Sequence, residues 1–215
     1  MRLGQGRRLL FVGDSVTDCG RLRPIGCGSR HALGDGYVSQ VDAALRALHP
    51  DPSIEVANMG VSGDMIRDLA NRWERDVLEL RADWLSVMIG VNDVWRQFDA
   101  SRCETAVFPE EFEDTFERLL ARTAPELKGV ILMTPFFVQD QKSDPMRERI
   151  DAYGALVRGL AERHGALLVD TQAAFDRALN DCDFSALSAD RVHPTERGHA
   201  VLAHAFLAAV GAGSR

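Results

Sequence analysis

An α/β/α sandwich around a parallel β-sheet is the fold this sequence predicts, and three observations predict it. Short apolar runs recur along the chain, most of them closed by Gly, Asn or Asp, as in strands buried on both faces. Between them lie segments of about ten residues or more with apolar positions at helical spacing, long enough to carry the chain back over a parallel sheet. The composition is globular, with 46% hydrophobic and 27% charged residues in a chain of 215, which suits a single domain, 1–215, with its own core.

Arg8-Leu-Leu-Phe-Val-Gly13 reads as the first strand. Gly36–Leu48 reads as a helix with Val38, Val41, Leu45 and Leu48 on one face, stopped by His49-Pro50. Ser53–Asn58 is the second strand. Asp64 then caps a long helix whose Met65, Ile66, Leu69, Trp73, Val77 and Leu80 form an apolar stripe. Trp84–Gly90 is the third strand, and Pro109–Thr123 a helix with Phe112, Phe116, Leu119 and Leu120 facing inward. Gly129–Thr134 is the fourth strand, Asp144–His164 a helix and Ala166–Asp170 the fifth strand. A last helix runs from near Pro194 to about Val210.

A net charge of −7 argues against a groove that tracks phosphates, so nucleic acid is not an expected partner. No stretch reaches the about 18 apolar residues of a membrane span. Arg2, Arg7 and Arg8 precede an apolar run, Leu9–Val12, that is too short for a signal-peptide core before Asp14 interrupts it. A soluble, cytoplasmic protein is expected. Cys19, Cys27, Cys103 and Cys182 have neither metal nor redox spacing, so free thiols are expected, with a Cys19–Cys27 bridge as the alternative. Trp73, Trp84 and Phe98 suit either core or a subunit interface, and a homo-oligomer is expected.

Ligands of open parallel sheets bind beyond the carboxyl ends of the strands. The first strand ends in Gly13-Asp14-Ser15, the second in Asn58-Met-Gly-Val-Ser-Gly63 and the third in Gly90-Val-Asn92-Asp93. Asp190-Arg-Val-His193-Pro194 precedes the last helix. A serine at a glycine-containing turn after a strand suits a nucleophile, though it equally suits a helix cap. Ser62, in Gly60-Val-Ser-Gly63, is a weaker rival because it misses the Gly-x-Ser-x-Gly spacing by one residue. The three-residue separation of Asp190 and His193 lets the carboxylate fold back onto Nδ1, freeing Nε2 to take a proton from serine. A capping aspartate beside an unrelated histidine is the plainer alternative. Asn92 and the Gly63 N–H could donate to a developing oxyanion, or be an ordinary turn asparagine and glycine. His199 and His204, five residues apart, miss the spacing of a helical metal pair.

The order Gly13-Asp14-Ser15-Val16, Gly63, Gly90-Val91-Asn92-Asp93 and Asp190-x-x-His193 resembles the SGNH (GDSL-type) hydrolases. Val16 stands where the family's name has leucine, a conservative apolar exchange. The resemblance implies a flavodoxin-like fold with five parallel strands. It assigns Ser15 as nucleophile, His193 as base and Asp190 as its orienting carboxylate, with the Ser15 N–H, Gly63 N–H and Asn92 side chain as oxyanion hole. Gly13–Arg21, Leu33–Val38 and Met88–Phe98 look like the bacterial intracellular acetylxylan esterases of this superfamily. That similarity implies deacetylation of xylo-oligosaccharides without metal or organic cofactor. Trp95 would then stack on a sugar ring, or simply pack in the core. Asp14 would be a further substrate contact, and Arg21, Arg23, Asp93 and Arg96 would bind the sugar or pair with one another on the surface. The same constellation also serves lipid, thioester and aryl-ester hydrolases. A non-catalytic ligand-binding protein is the remaining alternative, although Gly26-Cys-Gly28-Ser-Arg-His lacks the third glycine of a phosphate loop.

Overall fold

The structure, a computed structural model, describes residue 3, residues 8–48 and residues 54–212. The expected helix stop at His49-Pro50, the strand residue Ser53 and the N-terminal Arg2 and Arg7 lie outside the described residues.

β1 (Arg8–Gly13) runs into α1 (Ser15–Asp18), followed by β2 (Gly26–Cys27), α2 (Tyr37–Leu48) and β3 (Glu55–Asn58). α3 (Ile66–Trp73) continues as one π-helical turn, Glu74–Leu78, before β4 (Trp84–Met88). Then come α4 (Val91–Phe98), α5 (Pro109–Thr123), β5 (Gly129–Met133), α6 (Pro145–Arg163), β6 (Leu167–Val169), α7 (Thr171–Ala178) and α8 (Glu196–Ala209). The sheet order is β2-β3-β1-β4-β5-β6, with every neighbouring pair parallel except β2 with β3.

The α/β/α fold is as expected, but the sheet has six strands rather than five. The extra one is β2, a two-residue antiparallel edge pairing Gly26 with Asn58 and Cys27 with Ala57. A strand that short carries no periodicity to read.

Alternation along β1 builds two cores. Leu10 and Val12 join Ile66, Trp73, Phe112 and Tyr153 under α3, α5 and α6. Leu9 and Phe11 join Tyr37, Val41, Phe175 and Phe206 under α2, α7 and α8. The Phe11 ring lies 5.7 Å from Tyr37 and 5.0 Å from Phe206, and each fully buried side chain of this kind contributes about 1.5–3 kcal/mol.

Local chemistry moves several boundaries. Asp64 does not cap α3; Met65 holds that position, while Asp64 Oδ2 accepts from Arg72 Nε at 2.6 Å. The stripe from Ile66 to Val77 crosses the π turn rather than following one long α-helix. Asp144 stands outside α6 as its cap, taking the N–H groups of Met146 and Arg147. α8 begins after Thr195, which caps it, close to the start near Pro194 that the sequence predicts. α4 and α7 are two further short helices, directly after β4 and β6.

β1 lies between β3 and β4, so the chain passes over β1 on its way from β3 to β4. Such a switch point opens a crevice beyond the strand ends, here between the segments that follow β1 and β4.

Candidate active site

Gly13 ends β1 where a Cβ would collide with the Met88 carbonyl of β4 and with Thr17. Only glycine lets the two strands close there, and the chain turns at once into α1. Asp14 occupies the N-cap and accepts the Val16 N–H at 3.0 Å. Ser15 is therefore the first residue of a four-residue helix, half-buried at the crevice.

The segment before α8 reaches the same point. Arg191 has φ 70°, and this left-handed residue folds the loop so that Asp190 turns back onto His193. Its carbonyl takes the Val138 N–H at 2.8 Å, and its guanidinium lies 3.8 Å from the Phe184 ring centre. Asp190 Oδ1 accepts the Val192 and His193 N–H groups at 3.0 and 2.7 Å, and Oδ2 lies 2.7 Å from His193 Nδ1. His193 Nε2 is 3.0 Å from Ser15 Oγ. With Nδ1–H donating to the carboxylate, Nε2 is left to accept from the hydroxyl. Partial burial pushes the Asp190 carboxyl up, but the His193 ring and the two N–H groups outweigh it and hold the group below its ordinary value. The Asp190 and His193 side chains are 45% and 46% exposed, so the pair works through geometry more than through charge energy.

Asn92 lies in the first turn of α4, buried, with Nδ2 donating to the Asp64 carbonyl at 3.0 Å. That bond uses one amide hydrogen and leaves the other. Gly63 is exposed with φ 87°, a conformation that favours glycine. Among the described residues, neither the Ser15 nor the Gly63 N–H meets a protein acceptor. Ser62, the rival serine, donates to Asp18 Oδ2 at 2.9 Å and, among the described residues, has no histidine partner. Trp95 is half-buried, its ring 6.0 Å from that of His193 and its other side against the core.

Asp14, Arg21 and Asp93 lie under this surface rather than in its wall. Arg21 spends its guanidinium on the carbonyls of Gly60 (2.7 Å), Pro24 (2.8 Å) and Leu22 (3.2 Å). Asp14 and Asp93 are buried, and desolvation pushes each carboxyl up to about 7. Arg23 pairs with Asp18 at 2.7 Å. The sequence reading passed over Arg72, the hub of this floor. It binds Asp64 (2.6 Å), Asp76 (3.0 Å), the Met59 carbonyl (2.7 Å) and the Gly13 carbonyl (3.1 Å), tying the ends of β1 and β3 to α3. Its signal was an arginine three residues after Leu69, within an apolar stripe. All four cysteines are free, with Cys19 Sγ 3.4 Å from His199 Nε2. Among the described residues no cluster of His, Cys, Asp and Glu could hold a metal, and no helix is long and apolar enough to cross a membrane.

The profile of the GDSL-like lipase/acylhydrolase family matches residues 11–201. An acetylxylan esterase of Geobacillus stearothermophilus is 50% identical over 212 residues, 98% of this chain and 97% of that one. The crystal structure of that organism's acetylxylan esterase Axe2 superposes with a TM-score of 0.96 at 50% identity, covering 98% of this chain and 97% of the other. Structures of catalytic mutants of Axe2, each with a serine, an aspartate or a histidine changed to alanine, match as well. LAE5, an α/β hydrolase from the metagenome of Lake Arreo, Spain, is 49% identical with a TM-score of 0.94 over 98% of this chain and 97% of its own. A serine, an imidazole and a carboxylate in a relay, on this fold and with these relatives, make the chain a member of the GDSL-like lipase/acylhydrolase family and a carboxylic ester hydrolase.

Proposed function

We propose that this hydrolase removes acetyl groups from acetylated xylo-oligosaccharides through an acyl-enzyme on Ser15. The observation that carries the mechanism is the continuous relay from Ser15 Oγ through His193 to Asp190, with contacts of 3.0 and 2.7 Å. Ser15 Oγ attacks the acetyl carbonyl while His193 Nε2 takes its proton and Asp190 steadies the imidazolium. The carbonyl oxygen becomes an oxyanion held by the Ser15 N–H, the Gly63 N–H and the free Asn92 amide hydrogen, each donor contributing about 3–4 kcal/mol in the transition state. His193 returns the proton to the departing sugar hydroxyl. Water, deprotonated by the same imidazole, then attacks the acetyl carbonyl; the bond to Ser15 Oγ breaks, Oγ takes the proton back from His193, and acetate is released.

The sugar half of the proposal rests on the similarity to acetylxylan esterases and on Trp95, whose exposed face beside His193 suits the apolar face of a pyranose. The whole chain forms one hydrolase domain, needs no cofactor and acts as a homo-oligomer in the cytoplasm, where four free cysteines fit a reducing compartment. Neither nucleic acid nor membrane is a partner. Acetate release from acetylated xylo-oligosaccharides, followed by NMR with Ser15→Ala as control, tests the reading. Release by the wild type alone supports it. Ser15-dependent cleavage of a simple aryl acetate without sugar deacetylation would discard the sugar and keep the mechanism.

A further inference from the structure

Asp93 follows Asn92 in the first turn of α4, buried, with no surface to offer a substrate. Its Oδ1 accepts the Ile66 N–H at 3.0 Å. Ile66 opens α3, so its N–H is one of those that a helix start leaves without an internal partner. Gly63 lies three residues upstream, and between them the Asp64 carbonyl takes Asn92 Nδ2 at 3.0 Å. Consecutive residues of α4 therefore grip the segment from Gly63 to Ile66 at two points. Its other flank is held to α1 by Asp18 Oδ2, which accepts the N–H and hydroxyl of Ser62 at 3.0 and 2.9 Å. Among the described residues Asp93 Oδ2 is buried without a hydrogen-bond partner and the group makes no salt bridge, and desolvation raises it to about 7, so Asp93 serves as a hydrogen-bond acceptor and not as half of an ion pair. Asp14 and Asp68 disfavour its ionisation, and Arg67 on α3 is a further charge that acts on it.

We propose that Asp93 is a positioning residue of the oxyanion hole: its bond to the Ile66 N–H fixes the Gly63 amide relative to the Asn92 carboxamide. It touches no reacting atom, and the inference rests on the reading of Gly63 and Asn92 as oxyanion donors. With that bond cut, α4 holds the loop through Asn92 Nδ2 alone, which leaves a pivot. Displacing a positioned group by about 1 Å is enough to cost up to about 100-fold in rate.

The test is a double-mutant cycle on kcat and KM for p-nitrophenyl acetate. Asp93→Ala is expected to lower kcat about 10–100-fold with KM within about twofold of wild type. Asp93→Asn, whose amide oxygen still accepts, is expected to recover kcat to within about fivefold. In an Asn92→Ala background, Asp93→Ala should cost at most about threefold more, because the two act on one hole. Wild-type kcat in Asp93→Ala, the same factor lost with and without Asn92, or Asp93→Asn as slow as Asp93→Ala would each overturn the proposal. If Asp93→Ala shows no cooperative melt, Ile66→Pro cuts the same bond from the donor side. Proline fits a first helical position, and Met65 before it is already extended at φ −101° and ψ 175°. The same kcat loss is expected there, and an unchanged kcat overturns the proposal. Wild-type kcat in Asn92→Ala alone would instead overturn the oxyanion reading, and the inference with it.

Discussion

The two halves of the sheet end in similar polar residues and use them in opposite ways. Beyond β5 and β6 they are consumed. Thr134 Oγ1 accepts the Thr171 N–H at 3.0 Å and lies 2.9 Å from Thr171 Oγ1, while Gln172 serves the Phe137 N–H at 2.8 Å and the Phe137 carbonyl at 3.2 Å. Beyond β1, β3 and β4 some are left over: among the described residues the Ser15 and Gly63 N–H groups and one Asn92 amide hydrogen have no protein acceptor. Even within that half, Asn58 at the end of β3 is spent on the carbonyls of Thr17 (2.7 Å) and Leu33 (2.8 Å) and on the Gly60 N–H (2.9 Å). A polar residue at a strand end marks a site only when its hydrogen bonds are not already made.

Substitutions in the two halves should therefore separate activity from stability. Ser15→Ala should show the largest effect, a loss of about 10³–10⁶-fold in kcat with the melting temperature unchanged. Asn92→Ala should lower kcat about 100–1,000-fold with little change in KM. A change confined to KM would contradict its role as an oxyanion donor. In the other half, Thr134→Val leaves the Thr171 N–H buried without its acceptor. It should cost about 1–3 kcal/mol in urea unfolding while the folded enzyme keeps its kcat. A drop in kcat with unchanged stability would mean that the halves are not distinct.

The smallest effect concerns pH. His199, on α8, is buried against the start of α2, its Nδ1 accepting the Tyr37 N–H at 3.1 Å, and burial lowers its pKa from 6.5 to about 4. Between those values the unfolded chain holds a proton that the folded protein does not, so this group removes stability as pH falls from about 6.5 to about 4. Asp14 and Asp93 act in the other direction. Their carboxyls, raised from 3.8 to about 7, hold protons when folded that the unfolded chain has released, so they add stability as pH falls through that window. His199→Gln should therefore lose less stability on acidification from pH 7 to pH 5 than wild type does, read from urea midpoints at each pH. An unchanged difference would show that His199 does not titrate in that range.

The parallel sandwich was legible because buried strands and amphipathic helices write periods of their own. Leu9–Val12 and the Phe112–Phe116–Leu119 face sit where that pattern puts them. β2 was not legible, since its two residues have no period and its pairing with β3 is made across a distant loop. α4 hid because its N-cap is Gly90, φ 125°, with no side chain to announce it. Asp64 looked like a cap by position, but Arg72 claims its carboxylate more strongly than a helix N–H can. At the site, the pairing of Asp190 with His193 could be read because both lie on one short loop. The floor could not. Asp14, Arg21 and Asp93 look like polar candidates for a sugar, and only their burial shows that they lie inside the protein.

Rapid acid quench of the enzyme with p-nitrophenyl acetate, followed by peptide mass mapping, would locate the covalent intermediate. An acetyl group on the peptide carrying Ser15, absent in Ser15→Ala, is the expected result. Acetyl on Ser62, or turnover in Ser15→Ala at the wild-type rate, would contradict the assignment of the crevice beyond β1 and β4 as the place where the ester is cleaved.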